Sequence, residues 1–256
     1  MKRIRALDGP TPGLVDYLEC DGEQANWNGF RSHQAGAAYR ELVTALQHVQ
    51  HGLCGYCEID IKEQDRQVEH VIPRSDRPHG LARALDATNI VACCKGGTWS
   101  TGDDVRWRTP VKRNRSCGEA KQDLAAPDFV DPRMLPALPS LTRVRFDGQV
   151  TANEAACANA AIDADRVNRT IDILGLNVER LRLAREKRWR ALSDNWREHY
   201  NDPQVMMEAA RLELSPGDNA HLPKFFTTSR SYFAPVAEES RQLQKISTGE
   251  SVQPDI

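Results

Sequence analysis

Apolar residues recur at spacings of three and four in "AGAAYRELVTALQHVQ" (35–50), where Tyr39, Leu42, Val43, Leu46 and Val49 share one face. That period predicts an amphipathic helix, which His51-Gly52 ends. Upstream, residues 1–34 read as turn-rich, with a short helix near "GLVDYL". Beyond the CxxC at 54–57 the period changes. "QVEHVIP" (67–73) and "TNIVACC" (88–94) are short apolar runs of strand type, separated by a polar link containing Pro and Gly. After a long loop at 95–116, "CGEAKQDLAA" predicts a short helix. "DPRMLPALP" reads as a Pro-rich crossing, and "LTRVRFDGQVTA" (141–152) as a hairpin turning at Asp147-Gly148.

From about residue 159 the helical period returns. "AAIDADRVNRTIDILGLN" turns Ile162, Val167, Ile171 and Leu174 inward, with Gly175 as its C-cap. "VERLRLAREKRWRALSDNWREHY" is a second, strongly basic helix; a charged helix face of this kind is expected to be solvated. "DPQVMMEAARLEL" is a third, capped by Asp202 with Pro203 in its first turn. The expectation is an α+β chain: an N-terminal helical region (1–50), a central metal-binding region (51–127), a hairpin with helices (128–245) and a disordered tail (246–256).

The 256 residues suffice for one large domain or two small ones. The net charge is −2, so any contact with nucleic acid needs a local basic patch that the total hides. No apolar run approaches the roughly 18 residues of a bilayer span. The start, "MKRIRALDGPTPG", carries basic residues with no apolar stretch behind them, so a cytoplasmic location and no membrane association are expected.

Seven cysteines in a reducing compartment point to metal rather than disulfides. In "LCGYC", Cys54 and Cys57 have the gap that lets one tight turn aim two thiolates at one ion. Cys117 and either Cys93 or Cys94 complete a tetrahedral set; strand alternation allows only one of the adjacent pair to face the ion. Four thiolates leave no position for water, so such a zinc is structural. Cys20 and Cys157 read as ordinary surface or core residues, and buried packing is the plain alternative for Cys93 and Cys94 too.

"QVEHVIPRS" holds the chemistry. Glu69 and His70 are adjacent in a strand and so point to opposite faces, converging only where the strand ends, as Pro73 suggests. Hydrolysis of a phosphodiester suits the pair: a neutral imidazole takes a proton from water, and a carboxylate helps hold a divalent cation. Asn89, at the start of the second strand, is placed to fix the imidazole by a hydrogen bond. Taken singly, each has a plain structural alternative.

The ordered set "CGYCE", "VEHVIPRS", "TNIVACCKGG" and "CGEAK" resembles the HNH, or ββα-metal, nucleases. That resemblance implies a zinc-stapled ββα core. It makes His70 the general base, Asn89 its orienting residue and Glu69 a ligand of a catalytic Mg²⁺ or Mn²⁺. The zinc ligands become Cys54, Cys57, Cys94 and Cys117. A narrower likeness, over roughly residues 1–190, is to the nuclease subunit of Septu anti-phage systems (PtuB) and to retron-associated HNH proteins. It implies DNA as substrate, a role in antiviral defence and an ABC/SMC-like ATPase partner that gates activity, for which the C-terminal helices offer a docking surface. Gly118 and Glu119 stand where many HNH enzymes carry a second metal ligand; Glu119 is the candidate replacement.

Residues 95–121 carry seven basic and three acidic side chains, a net of +4, with Trp99 and Trp107 interleaved. Lys95, Arg113, Arg115 and Lys121, with Arg74 and Arg77, are the expected contacts to a nucleic-acid backbone. The competing functions are a non-catalytic zinc-ribbon module binding nucleic acid or protein, and an RNA or tRNA nuclease with the same centre.

Overall fold

The computed structural model describes residues 1–77, 79–98, 112–124, 127–233 and 236. Three helices come first: α1 (Pro12–Asp21), α2 (Trp27–Ser32) and α3 (Ala37–Val49). The α3 stripe lies as its period predicts, with Leu42, Val43 and Leu46 buried. In contrast, α2 lies in a stretch expected to be irregular. Its Asn26 cap accepts a bond from the Gly29 amide, and Trp27 and Phe30, three residues apart, are both buried.

Strand β1 (Arg66–His70) pairs antiparallel with β2 (Ile90–Cys94), Arg66 opposite Cys94 and His70 opposite Ile90. All five residues of β2 are buried. Two strands alone are marginal in water, and a side chain completes this pair. Gln50, fully buried at the end of α3, accepts from the Ala92 amide (2.7 Å) and donates to the Ala92 carbonyl (2.9 Å). One side chain thereby serves the open edge of β2 as a third strand would. A short helix, α4 (Gly118–Lys121), opens directly after Cys117. The hairpin of β3 (Thr142–Val144) and β4 (Val150–Ala152) forms where Asp147-Gly148 predicts it, giving a second two-stranded sheet and an α+β architecture.

The helical stretch expected from about 159 starts later, at 164, and an unanticipated short helix comes before it. α5 (Glu154–Asn159) precedes α6 (Ala164–Ile173), and Asp163 restarts the helix by accepting from the Asp165 amide. Then come α7 (Glu179–Trp196), α8 (Pro203–Leu214) and α9 (Phe226–Phe233); the last was not anticipated. One apolar cluster joins Leu14 and Leu42 to Ile90, Val150, Val167 and Leu181, so it crosses the divisions expected at 50 and 127. A second gathers Leu53, Leu192, Met206, Leu214, Phe226 and Phe233 beneath α7, α8 and α9.

Three basic residues of α7 depart from the solvated expectation, while Arg182, Lys187 and Arg190 are exposed as expected. Arg180 bonds the Asn114 carbonyl (3.2 Å) and the Ser116 hydroxyl, and buried Arg185 donates to the Gly148 carbonyl (2.8 Å). Burial lowers the Arg185 pKa to about 10. Arg188 pairs with Glu213 at 2.6 Å and reaches the Ser229 hydroxyl at 3.1 Å. These cations are spent inside the molecule. Trp99, Arg106, Trp107, Arg108 and the expected tail at 246–256 lie outside the described residues. Among the described residues, no helix is long and apolar enough to cross a membrane.

Candidate active site and cysteine cluster

Cys54, Cys57, Cys94 and Cys117 are all buried, and their sulfurs lie within 4.8 Å of one another. The separations are 3.7 Å for Cys57–Cys94, 3.8 Å for Cys54–Cys117 and 3.6 Å for Cys94–Cys117. A disulfide needs about 2 Å. With Zn–S bonds of about 2.3 Å, a tetrahedron has edges of about 3.8 Å. The residues therefore fit a tetrathiolate ion. Of the adjacent pair, Cys94 belongs to the set, and its amide also points at the Cys54 sulfur (3.4 Å). The Cys93 sulfur instead lies 3.2 Å from the Cys94 carbonyl. Burial pushes the Cys117 thiol up, while hydrogen bonds from the neighbouring thiols overcome burial at Cys54 and hold it well below the usual range. Gly96 shapes the approach: its φ is +56°, and an added Cβ would stand 2.2 Å from the Ser116 carbonyl oxygen, one residue before Cys117.

Beside this cluster, an open cleft of about 280 Å³ is lined by both Glu69 and His70. Both residues line it although they are neighbours in sequence, and β1 stops at His70. The ring Nε2 lies 2.9 Å from the Ala84 carbonyl oxygen. A carbonyl only accepts, so the neutral ring carries its hydrogen on Nε2 and leaves the Nδ1 lone pair free. Burial, with the charges of Arg74 and Lys121, lowers the His70 pKa to about 4. The imidazole is neutral at physiological pH. Trp27 fixes its other side, ring edge to ring face, with centroids 4.5 Å apart.

Glu69 accepts at Oε1 from the Lys121 ammonium (3.0 Å), and burial raises its pKa, with Glu119 and Asp123 adding to the rise. Its Oε2 lies against Gly118, where an added Cβ would stand 2.5 Å away. Any side chain at 118 would displace the carboxylate. Glu119 and Asp123 line an adjoining hollow with Glu69, an oxygen-rich corner whose donors suit a hard divalent ion. Among the described residues, the cysteines are the sole group whose metal-ligating atoms already converge.

No family model matches the chain. Among curated proteins it is similar to "Retron Ec83 putative HNH endonuclease" of Escherichia coli, 31% identical over 252 residues, covering 90% of this chain and 92% of that one. The chain belongs to the retron-associated HNH endonucleases. A second relative, "Retron Vc95 putative HNH endonuclease" of Vibrio cholerae serotype O1 biovar El Tor, is 26% identical over 177 residues, 68% of this chain and 76% of that one.

Two site residues of this HNH endonuclease sit differently from expectation. Asn89 does not hold the His70 ring; Ala84 does. The Asn89 side chain accepts from the Ile72 amide (2.9 Å) and donates to the Ile72 (3.0 Å) and Arg83 (3.2 Å) carbonyls. It clamps the chain leaving β1 to the chain bearing Ala84. Lys121, expected at the nucleic-acid surface, is buried: its ammonium serves Glu69 and the His70 carbonyl (3.0 Å) and sits 5.9 Å over the Phe129 ring. Among the other expected contacts, Arg74 is exposed and lines the cleft, and Arg77 and Arg113 are exposed. Lys95 reaches the Gln64 carbonyl (2.6 Å), and Arg115 is half-buried.

The sequence reading missed Trp27, Arg31 and Tyr39, which wall the cleft from the N-terminal helices, and Gln122 and Asp123, which close it after α4. A signal was present for the first. An Asn followed by aromatics at i+1 and i+4 is a capped, one-sided helical turn.

Proposed function

We propose that this endonuclease hydrolyses DNA phosphodiester bonds with a divalent metal, as the effector of an anti-phage defence system acting with an ABC/SMC-like ATPase. Residues 51–127 form its HNH core. Kinship with two retron proteins favours a retron setting over a Septu one. The observation that carries the chemistry is the His70 ring, which lines a cleft with Glu69 and whose Nε2–H is committed to Ala84, so the lone pair of the neutral ring is on Nδ1.

His70 accepts the proton of the attacking water at Nδ1. Asn89 acts as a positioning residue, since the segments it clamps carry the two ends of the His70–Ala84 contact. Glu69, with Glu119 and Asp123 beside it, would hold Mg²⁺ or Mn²⁺, which supplies charge stabilisation to the phosphoryl and leaving oxygens. Lys121 keeps Glu69 against Gly118. Cys54, Cys57, Cys94 and Cys117 would hold a structural Zn²⁺ that pins the CxxC turn, β2 and the start of α4 together.

The test is cleavage of plasmid DNA with Mg²⁺ or Mn²⁺, alone and with any ATPase encoded beside the gene. The protein is expected to cut, and His70→Ala to lower the rate by about 10²- to 10⁴-fold, the span of a lost general base. Equal cutting by both proteins, or no cutting by either with the ATPase present, sinks the reading.

A further inference from the structure

We propose that Arg31, carried by α2 outside the HNH core, contacts a backbone phosphate of the DNA substrate from the wall of the cleft that Glu69 and His70 also line. This rests on the nuclease reading and adds to it a contact from the N-terminal region. Glu69 and Asp123 on the lining and Glu119 next to it would be largely neutralised by the divalent ion they hold. Attraction for a polyanion beyond that ion therefore depends on the cations of the cleft. Lys121 gives no help, because its ammonium is buried against Glu69. The cations that do line the cleft are Arg31 and Arg74. Both are exposed, and among the described residues neither has a carboxylate within ion-pairing distance.

Arg31 is also held in place. Its guanidinium lies 5.5 Å from the centre of the Tyr39 ring. Tyr39 in turn packs on Trp27 (6.0 Å) and Phe30 (6.5 Å), both buried. A planar guanidinium on an aromatic face loses little further freedom on binding, and it presents a fork that matches phosphate oxygens. Arg31 and Trp27 are one helical turn apart, on one face of α2. Because Trp27 packs on the His70 ring, the helix that aims Arg31 is the one that fixes the imidazole. The position of the anchored phosphate is thereby tied to that of the base.

The experiment separates binding from cutting. Full-length protein carrying His70→Ala binds a labelled DNA duplex, followed by anisotropy across a salt series. Adding Arg31→Ala is expected to weaken binding about fivefold to tenfold and to reduce the slope of log Kd against log salt by about one. Arg31→Lys should keep the slope with intermediate affinity. With His70 intact, Arg31→Ala should raise KM and leave kcat near its original value. An unchanged Kd, a weaker Kd with an unchanged slope and a lowered melting temperature, or binding of RNA with none of DNA overturns the proposal. A protein that binds DNA through Arg31 but never cuts it refutes the nuclease reading and leaves this contact standing. One that cuts DNA with KM and Kd unchanged by Arg31→Ala does the reverse.

Discussion

The cysteine-centred core and the α7–α9 layer solve the same problem by different means. The layer buries apolar faces: Leu192 from α7, Met206 and Leu214 from α8, and Phe226 and Phe233 from α9. Its polar contacts, such as Arg188 to Glu213, sit half-buried around that interior. The core has two strands of five residues and a four-residue helix, too little backbone to hold itself. Its segments are joined by side chains: four thiols, the Gln50 amide, the Asn89 amide and the Lys121 ammonium. Apolar burial tolerates small changes at many positions, whereas a core held by single groups fails at single groups.

The largest expected effect is therefore at the sulfurs. Structural Zn²⁺ in small domains contributes on the order of 10 kcal/mol to folding. Cys57→Ser should remove one metal equivalent per chain, measured by elemental analysis, and lower the melting temperature of the core by 10 °C or more, roughly what a loss of several kcal/mol produces. A chelator should do the same to the unaltered protein, with recovery on adding Zn²⁺. Cys93→Ala should retain the metal, since its sulfur is outside the ligand set. Unchanged metal content in Cys57→Ser would remove the distinction drawn between the two regions.

The two regions also differed in how far their sequence could be read. Helices were legible where burial imposes a period: Asp202 and Pro203 opened α8 in the layer as the capping pattern says, and outside it the α3 and α6 stripes faced the first apolar cluster as spaced. Within the layer α9 escaped, since Thr227, Thr228 and Ser229 are buried polar residues that break the apolar pattern. Within the core, the CxxC gap pointed to Cys54 and Cys57, and the resemblance to HNH nucleases added Cys94 and Cys117, the four that cluster; Glu69 and His70, adjacent in sequence, both line one cleft. What could not be read were contacts between residues far apart in sequence. Gln50 reaches Ala92, Lys121 reaches Glu69 across 52 positions, and Trp27 meets His70; no local period records any of them. Lys121 is the instructive case. A lysine at the end of a stretch with a net positive charge looks like a phosphate contact until the fold shows a carboxylate waiting for it.

The next effect tests a single amide. Asn89→Ala leaves the Ile72 amide and the Ile72 and Arg83 carbonyls without their partner in a site that is fully buried at Asn89. Buried groups left unsatisfied cost about 1–3 kcal/mol each, with partial relief where water reaches them. A loss of about 2–4 kcal/mol in chemical denaturation is expected, with metal content retained. Activity should fall at a temperature where the variant is still folded, because Ala84 moves relative to His70. Asn89→Asp is a sharper probe: its carboxylate still accepts from Ile72 but repels the two carbonyls. Full activity in both variants would mean the clamp does not position the ring.

The smallest effect belongs to the helical layer. Asp202 caps α8 by accepting from the Gln204 and Val205 amides, both at 3.1 Å, and the site is exposed. Asp202→Ala should cost about 1 kcal/mol, the usual worth of a cap, and Asp202→Asn should recover most of it because the amide oxygen still accepts. α8 packs on α9 and supplies Met206 and Leu214 to the second apolar cluster, while the cleft is lined from α2, α3, β1 and the segment after α4. Loosening the first turn of α8 should therefore leave metal content, DNA affinity and cleavage unchanged while unfolding shifts by that small amount. A fall in cleavage well beyond the stability loss would show that α8 transmits to the cleft, and that the two regions work as one unit.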